Sequence, residues 1–226
     1  MARFTRIQVL SQMHATGMVP VFFHKDIEVA KKVLKACYDG GVRVFEFTNR
    51  GDYAHEVFGE LNKYAEQALP EMILGVGSVV DAGTASLYIQ LGSNFIVSPI
   101  LSADMAKVCN RRKISWSPGC GSLSEISYAE ELGADIVKIF PATQVGGPAF
   151  IKGVTAPCPW TSIMPTGGVS PTEENLSAWI GAGAACVGMG SQLITKDIIK
   201  EGNYTLLTER TQSAMDIIQR LKSEKK

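Results

Sequence analysis

The stretch Ala134-Asp135-Ile136-Val137-Lys138-Ile139-Phe140-Pro141 decides how the rest of the chain is read. A run of β-branched and aromatic residues closed by a proline reads as a buried strand. At its centre stands a lysine, the residue type least suited to such a place. Side chains alternate along a strand, so Ile136, Lys138 and Phe140 share one face, and Val137 and Ile139 the other. An ammonium kept from water either loses its proton or finds a carboxylate, because an isolated buried charge is costly. A lysine whose pKa falls in this way is a nucleophilic amine at neutral pH, the species that forms Schiff bases with carbonyls. An ordinary lysine at a strand end instead carries its charge out to water on its own apolar stem. The surrounding pattern decides between the two.

That pattern is a repeat of strand and helix. Upstream, strands are predicted at Gly17–Phe23, Val42–Thr48, Met72–Ser78, Phe95–Pro99 and Lys113–Pro118. The helices between them carry recognisable ends. Asp26 caps the first and Gly40-Gly41 stops it, the second runs from Tyr53 to about Ala68, and Asp81 opens a third that ends near Leu91-Gly92. A fourth runs from Ser102 to Asn110, and Ser122-x-x-Glu125 is a capping box opening a fifth. Downstream of the lysine strand, Gly146-Gly147 loosens the loop before a short helix near Ala149–Gly153. A strand at Ser162–Thr166 follows. Ser170-Pro171-Thr172-Glu173 then combines a capping box with proline at the first helical position. The last strand is Ala184–Met189, before an amphipathic helix with Leu206, Ala214, Ile217, Ile218 and Leu221 and the charged tail Ser223-Glu224-Lys225-Lys226. The segment through Ser11 reads as a short helix outside the repeat. Eight strand–helix units, roughly 20–30 residues apart and without a linker, predict one (β/α)8 TIM barrel domain over residues 1–226. An open doubly wound sheet is the alternative, but its G-x-G-x-x-G fingerprint is missing from the first strand-to-helix turn.

Composition narrows the classes of function. Lys+Arg and Asp+Glu balance at 22 each, so there is no electrostatic footprint for nucleic acid or an anionic membrane. The five cysteines form no C-x-x-C pair and are odd in number, which favours free thiols in a reducing compartment. His14, His24 and His55 show no metal-ligand spacing. Met1 to Arg6 lead into a mixed segment and not an apolar signal core, and no apolar run approaches the ~20 residues of a membrane span. A cytoplasmic protein with neither nucleic-acid nor membrane partners is expected.

In such barrels catalytic groups come from the C-terminal ends of strands and the loops after them. Lys138 and Glu46 both qualify. With Phe45 and Phe47 turned toward the helices, Val44, Glu46 and Thr48 face inward. Alternate strands share layers, so Glu46 and Lys138 approach one another across the mouth. An imine-forming lysine with a proton-shuttling carboxylate fits, and so does a structural ion pair; residue types alone leave the choice even. The strand ends further on favour chemistry. Thr166-Gly167-Gly168 and Gly188-Met189-Gly190-Ser191 follow the seventh and eighth strands, where these barrels often hold phosphate on backbone N–H groups. A single Gly-Gly is usually only a turn, but two clusters at both expected ends argue for an anion site. Arg50, just past the second strand, reads as a surface arginine or as a planar fork for a carboxylate, with the Ser78 hydroxyl beside it. Cys120 reads as a small apolar filler, since nothing in sequence supplies it with a base. Pro99, closing the fourth strand, and Gly190 are counted with the substrate-lining positions.

Val44-Phe45-Glu46-Phe47-Thr48-Asn49-Arg50, Gly75-Val76-Gly77-Ser78, Val137-Lys138-Ile139-Phe140-Pro141-Ala142, Pro165-Thr166-Gly167-Gly168 and Gly188-Met189-Gly190-Ser191 stand in one order and spacing. Together they resemble the 2-keto-3-deoxy-6-phosphogluconate / 4-hydroxy-2-oxoglutarate aldolases over nearly the whole chain. The resemblance implies a class I aldolase on a (β/α)8 barrel, with neither metal nor other cofactor, assembled as a homotrimer. It implies Lys138 as the Schiff-base residue and Glu46 as general acid/base. Arg50 would hold the pyruvyl carboxylate with help from Ser78, and Phe140 would pack beside the imine. Thr166, Gly167, Gly168 and Ser191 would line the distal, often phosphorylated, end of a 2-keto-3-deoxy sugar acid. Ser78 stands where threonine is frequent, Asn49 and Gly51 flank Arg50 where other residues occur, and Met189 stands where a further glycine is common. Two other classes remain: a phosphate-binding barrel isomerase using Glu46 as base, and a non-catalytic sugar-phosphate binder.

Overall fold

The computed structural model describes residues 2–224; Met1 and the last two residues of the charged tail, Lys225 and Lys226, lie outside the described residues. Its strands are β1 (Met18–Phe22), β2 (Val44–Thr48), β3 (Ile73–Gly77), β4 (Phe95–Val97), β5 (Ser115–Ser117), β6 (Gly119–Cys120), β7 (Val137–Ile139), β8 (Ile163–Pro165) and β9 (Val187–Met189). Every pairing among them is parallel. One sheet runs β5-β4-β3-β2-β1-β9 and the other β6-β7-β8. A parallel bridge between Thr166 and Gly188 joins β8 to β9, so the ladder closes on itself. An open doubly wound sheet is ruled out, because the first strand pairs with the last, β1 with β9, and β9 in turn meets the end of β8.

The fifth predicted strand, Lys113–Pro118, is observed as β5, and a further short strand, β6, follows past Pro118. Pro118 has no N–H to give a ladder, so pairing breaks there. Residues before it pair with β4 and residues after it pair with β7. The Pro118 carbonyl still accepts from the Lys138 N–H at 3.0 Å.

The helices are α1 (Arg6–Thr16), α2 (Ile27–Asp39), α3 (Ala54–Ala68), α4 (Ala82–Gln90), α5 (Ala103–Arg112), α6 (Leu123–Glu131), α7 (Gly147–Thr155), α8 (Glu173–Gly181), α9 (Lys196–Glu201) and α10 (Tyr204–Ser223). Asp26, Asp81, Ser102 and Ser122 cap their helices as expected. Two caps differ. Thr172, not Ser170, caps α8, and Pro171 lies outside that helix. The Ser170 N–H donates instead to Asn175 Oδ1 at 2.8 Å. At α6, Glu125 Oε2 takes the Gly121 N–H and the Ser122 hydroxyl, so the reciprocal half of a capping box is replaced by a loop contact. On α10 the expected Ala214 and Ile218 are buried, but Leu207 is buried in place of Leu206, which faces solvent.

Alternation along each strand divides the core in two. Phe45, Phe47, Val76, Trp116, Val137 and Ile139 lie in the layer between strands and helices. Val19, Val44, Ile73, Phe95, Ile136 and Met164 fill the barrel interior, where Val9 and Met13 of α1 join them. Thr5 and Gln8 form a capping box that starts α1. Arg3 donates to the Met72 carbonyl at 2.6 Å and the Phe4 N–H to Asn94 Oδ1, both just before strands, so this segment spans the strands' N-terminal ends. A plug of apolar side chains at that end leaves the polar inner positions for the opposite one.

Candidate active site

Lys138 sits in β7 with Gly119 and Met164 beside it in the neighbouring strands. Its inward aim follows from the strand period. Ile136, two residues back, lies in the interior, while Val137 and Ile139 lie in the outer layer. The side chain is 5% exposed. Burial lowers its pKa, the Glu46 carboxyl opposes that shift, and the Arg50 charge adds to it. The amine is therefore held toward its neutral, nucleophilic form.

Glu46 lies between Val21 of β1 and Gly75 of β3 and is 1% exposed. Burial pushes its pKa up, against the pull of Lys138 and then Arg50. Lys138 and Glu46 act on each other through the field alone, with no hydrogen bond between them. Glu46 Oε2 is buried without a hydrogen-bond partner, and the same holds for the hydroxyls of Thr48 and Thr166. Of the eight such buried side-chain atoms among the described residues, these three belong to inward-facing positions in the C-terminal halves or ends of β2 and β8. A neutral amine and a carboxyl of raised pKa are the pair that adds to a carbonyl and passes protons.

Arg50 is exposed, two residues past β2, and its charge reaches both buried groups. The turn that carries it is tied down. The Asn49 N–H donates to the Gly77 carbonyl at 2.8 Å, and Asn49 Oδ1 accepts from the Tyr88 hydroxyl of α4 at 2.7 Å. Ser78, half-buried at the end of β3, has φ +59°, a conformation uncommon outside glycine and often found at sites. Pro99 is half-buried, and its carbonyl lies 2.3 Å from where a Cβ on Gly119 would stand, so that glycine permits the close approach of the two loops. Pro99 and Phe140 line a cleft of about 560 Å3 with Ile100, Glu125 and Tyr128.

The glycine clusters meet because β8 and β9 do. A Cβ on Gly188 would stand 2.3 Å from Thr166 Oγ1, so glycine allows that approach. Gly167 and Gly168 have φ +98° and +81°. The Gly167 carbonyl accepts from the Thr143 hydroxyl and the Gly168 carbonyl from Asn175 Nδ2, each at 3.1 Å. In a trans peptide the N–H points away from its carbonyl, so these two bonds turn the N–H groups of Gly168 and Val169 the other way. Gly190 is half-buried and Ser191 exposed at the adjacent strand end. Thr143, Asn175 and Tyr88 were not visible as site residues in sequence: the partners of Thr143 and Tyr88 lie 24 and 39 residues away, and Asn175, though only seven residues from Gly168, carries no periodic signal.

Cys120 belongs to the outer layer, and burial pushes its thiol up to about 12, which leaves it inert packing. Among the described residues no cluster of three His, Cys, Asp or Glu could hold a metal ion. No helix among them is long and apolar enough to cross a membrane.

The family model "Aldolase: KDPG and KHG aldolase" matches residues 9–210. A 2-dehydro-3-deoxy-phosphogluconate aldolase of Pseudoalteromonas atlantica is 34% identical over 200 residues, covering 88% of this chain and 89% of its own. The KHG/KDPG aldolase of Escherichia coli is 30% identical, covering 88% and 91%. The crystal structure of KDPG aldolase from Legionella pneumophila, with pyruvate captured as a covalent carbinolamine, superposes with a TM-score of 0.82 at 27% identity, covering 91% of this chain and 97% of that one. The isomerase and non-catalytic readings lose their support here. A closed parallel barrel, a buried amine facing a buried acid and a family match over most of the sequence give one result: the chain belongs to the KDPG and KHG aldolase family and is an aldehyde-lyase.

Proposed function

We propose that this aldolase cleaves a 2-keto-3-deoxy sugar acid, 2-keto-3-deoxy-6-phosphogluconate above all and 4-hydroxy-2-oxoglutarate as well, to pyruvate and an aldehyde. The observation that carries the reading is Lys138, an amine buried in the barrel and held toward its neutral form across from Glu46. The names of the relatives support the substrate class.

Lys138 Nζ adds to the C2 carbonyl, and the oxygen leaves as water once protonated, giving an iminium. Glu46, directly or through a water, takes the proton of the C4 hydroxyl. The C3–C4 bond breaks, its electrons move into the iminium to make an enamine, and the aldehyde departs. Protonation at C3 and hydrolysis release pyruvate and restore the amine. Arg50 grips the pyruvyl carboxylate with Ser78, and Phe140 packs beside the imine. Pro99 adds an apolar wall. Thr166, Gly167, Gly168, Gly190 and Ser191 receive the distal phosphate, whose charge suits the turned N–H groups.

Residues 1–226 act as one barrel domain in this account, supported by the closed ladder. Assembly as a homotrimer in the cytoplasm rests on the family resemblance and, for the compartment, on five free cysteines. Light scattering that gave only a 24.4 kDa monomer would contradict the trimer. The activity itself is tested by following pyruvate release from both substrates in the presence of a chelator. Chelator-resistant cleavage is expected, and no release from either substrate would overturn the proposal.

A further inference from the structure

The inner face of β3 carries two glycines, Gly75 and Gly77, where barrel strands commonly place bulky branched residues. Neither has positive φ, so the backbone at both would accept alanine and what glycine supplies is room. At Gly75 that room is filled by the Phe95 ring, three of whose atoms lie 2.4 Å from where a Cβ would stand. At Gly77 it is filled by Glu46. The position of a Cβ there is 1.7 Å from Oε1, 2.4 Å from Cδ and 2.8 Å from Cγ. In the ladder Glu46 stands beside Gly75, and Thr48 beside Gly77. With the ring of Phe95 in the lower notch, the carboxyl leans along the strand into the upper one.

We propose that Gly77 is a positioning residue for the aldol chemistry: its missing side chain is the notch that seats the Glu46 carboxyl. The proposal rests on the reading of Glu46 as general acid/base. A methyl group at this position and the present carboxyl cannot coexist, so the acid must swing away from its seat. Moving a reacting group by about 1 Å costs on the order of 10²-fold in rate. The same Gly77 accepts the Asn49 N–H on its carbonyl, but alanine keeps that bond, so the steric effect falls on Glu46.

The test is a kinetic cycle of wild type, Gly77→Ala, Glu46→Gln and the double variant, with pyruvate trapping measured alongside. Gly77→Ala is expected to lower kcat for cleavage by about 10²-fold while borohydride still traps pyruvate on Lys138. Adding it to Glu46→Gln should cost no further turnover, because an amide out of place loses nothing that an amide in place supplied. Wild-type kcat for Gly77→Ala, or losses that multiply in the double variant, would overturn the proposal. Should Gly77→Ala fail to fold, Glu46→Ala/Gly77→Ala decides: with the clashing atoms gone it should fold and melt with Glu46→Ala, and its failure would contradict the notch. A fully active Glu46→Gln would remove the acid/base reading and this proposal together. A slow Glu46→Gln beside an unimpaired Gly77→Ala would remove the proposal alone.

Discussion

Lys138 Nζ lies 4.9 Å from the centroid of the Phe140 ring, two residues further along the same face. A ring face attracts a cation by roughly 0.5–2 kcal/mol, which by itself would favour the ammonium. Burial acts the other way and can move a lysine by several pKa units, each worth about 1.4 kcal/mol. Burial wins here, since the pKa of Lys138 is lowered and desolvation is the largest cause. The ring is one part of the surround that buries the amine, and its share can be measured.

Phe140→Ala should let water reach Lys138 and return its pKa toward the ordinary lysine value. Imine formation needs the free base, so its rate should fall at neutral pH and its pH midpoint should move to the alkaline side. The rate of pyruvate trapping measured as a function of pH checks this. An unchanged midpoint would mean that the barrel, and not the ring, shields the amine.

Glu46→Gln should lower turnover by about 10²–10⁴-fold, the usual contribution of a general acid/base. It also has a stability signature. Burial raises the folded pKa of Glu46 above its ordinary value of 4.5, so over the window between the two the folded protein holds a proton that the unfolded chain has lost. Stability contributed by that proton is full below the unfolded value and is lost as pH rises through the folded one. Glutamine does not titrate. Its melting temperature relative to wild type should therefore climb from about pH 4.5 upward, as thermal melts across pH would show. A difference independent of pH would mean that the carboxyl titrates normally.

The elements that were legible in sequence share a local cause. Asp26, Asp81 and Ser102 cap their helices through bonds to residues two or three positions on, and Glu46 and Lys138 face inward because the strand period is two. Pro118 shows the limit. A proline is visible, but that it passes the chain from one ladder to another depends on which strands flank it after closure. Thr172 displaced Ser170 as the cap because Asn175 takes the Ser170 N–H, a side-chain choice with no periodic signal. Helix α9 is six residues long, too short to show a helical period, although Thr195 at its start was a usable sign. At the site, Gly77 was silent for a further reason. Its meaning lies in the Glu46 carboxyl of the neighbouring strand, and register alone brings the two together.

Ser191→Ala should separate the two ends of the substrate. A hydrogen bond to a charged group is worth ~1.5–3 kcal/mol and a factor of ten in rate ~1.4 kcal/mol. kcat/KM for the phosphorylated sugar acid should fall about 10- to 100-fold, and that for 4-hydroxy-2-oxoglutarate should barely change. Asn175→Ala, which frees the Gly168 carbonyl, should act in the same direction. Equal losses on both substrates would place these residues in the structure or the chemistry and not at a phosphate.

Imine formation at Lys138 can be caught chemically. Borohydride is added to the protein with pyruvate, followed by intact mass and peptide mapping. One reduced three-carbon adduct per chain is expected on Lys138, absent from Lys138→Arg. A label on any other lysine, or no label at all, would contradict it.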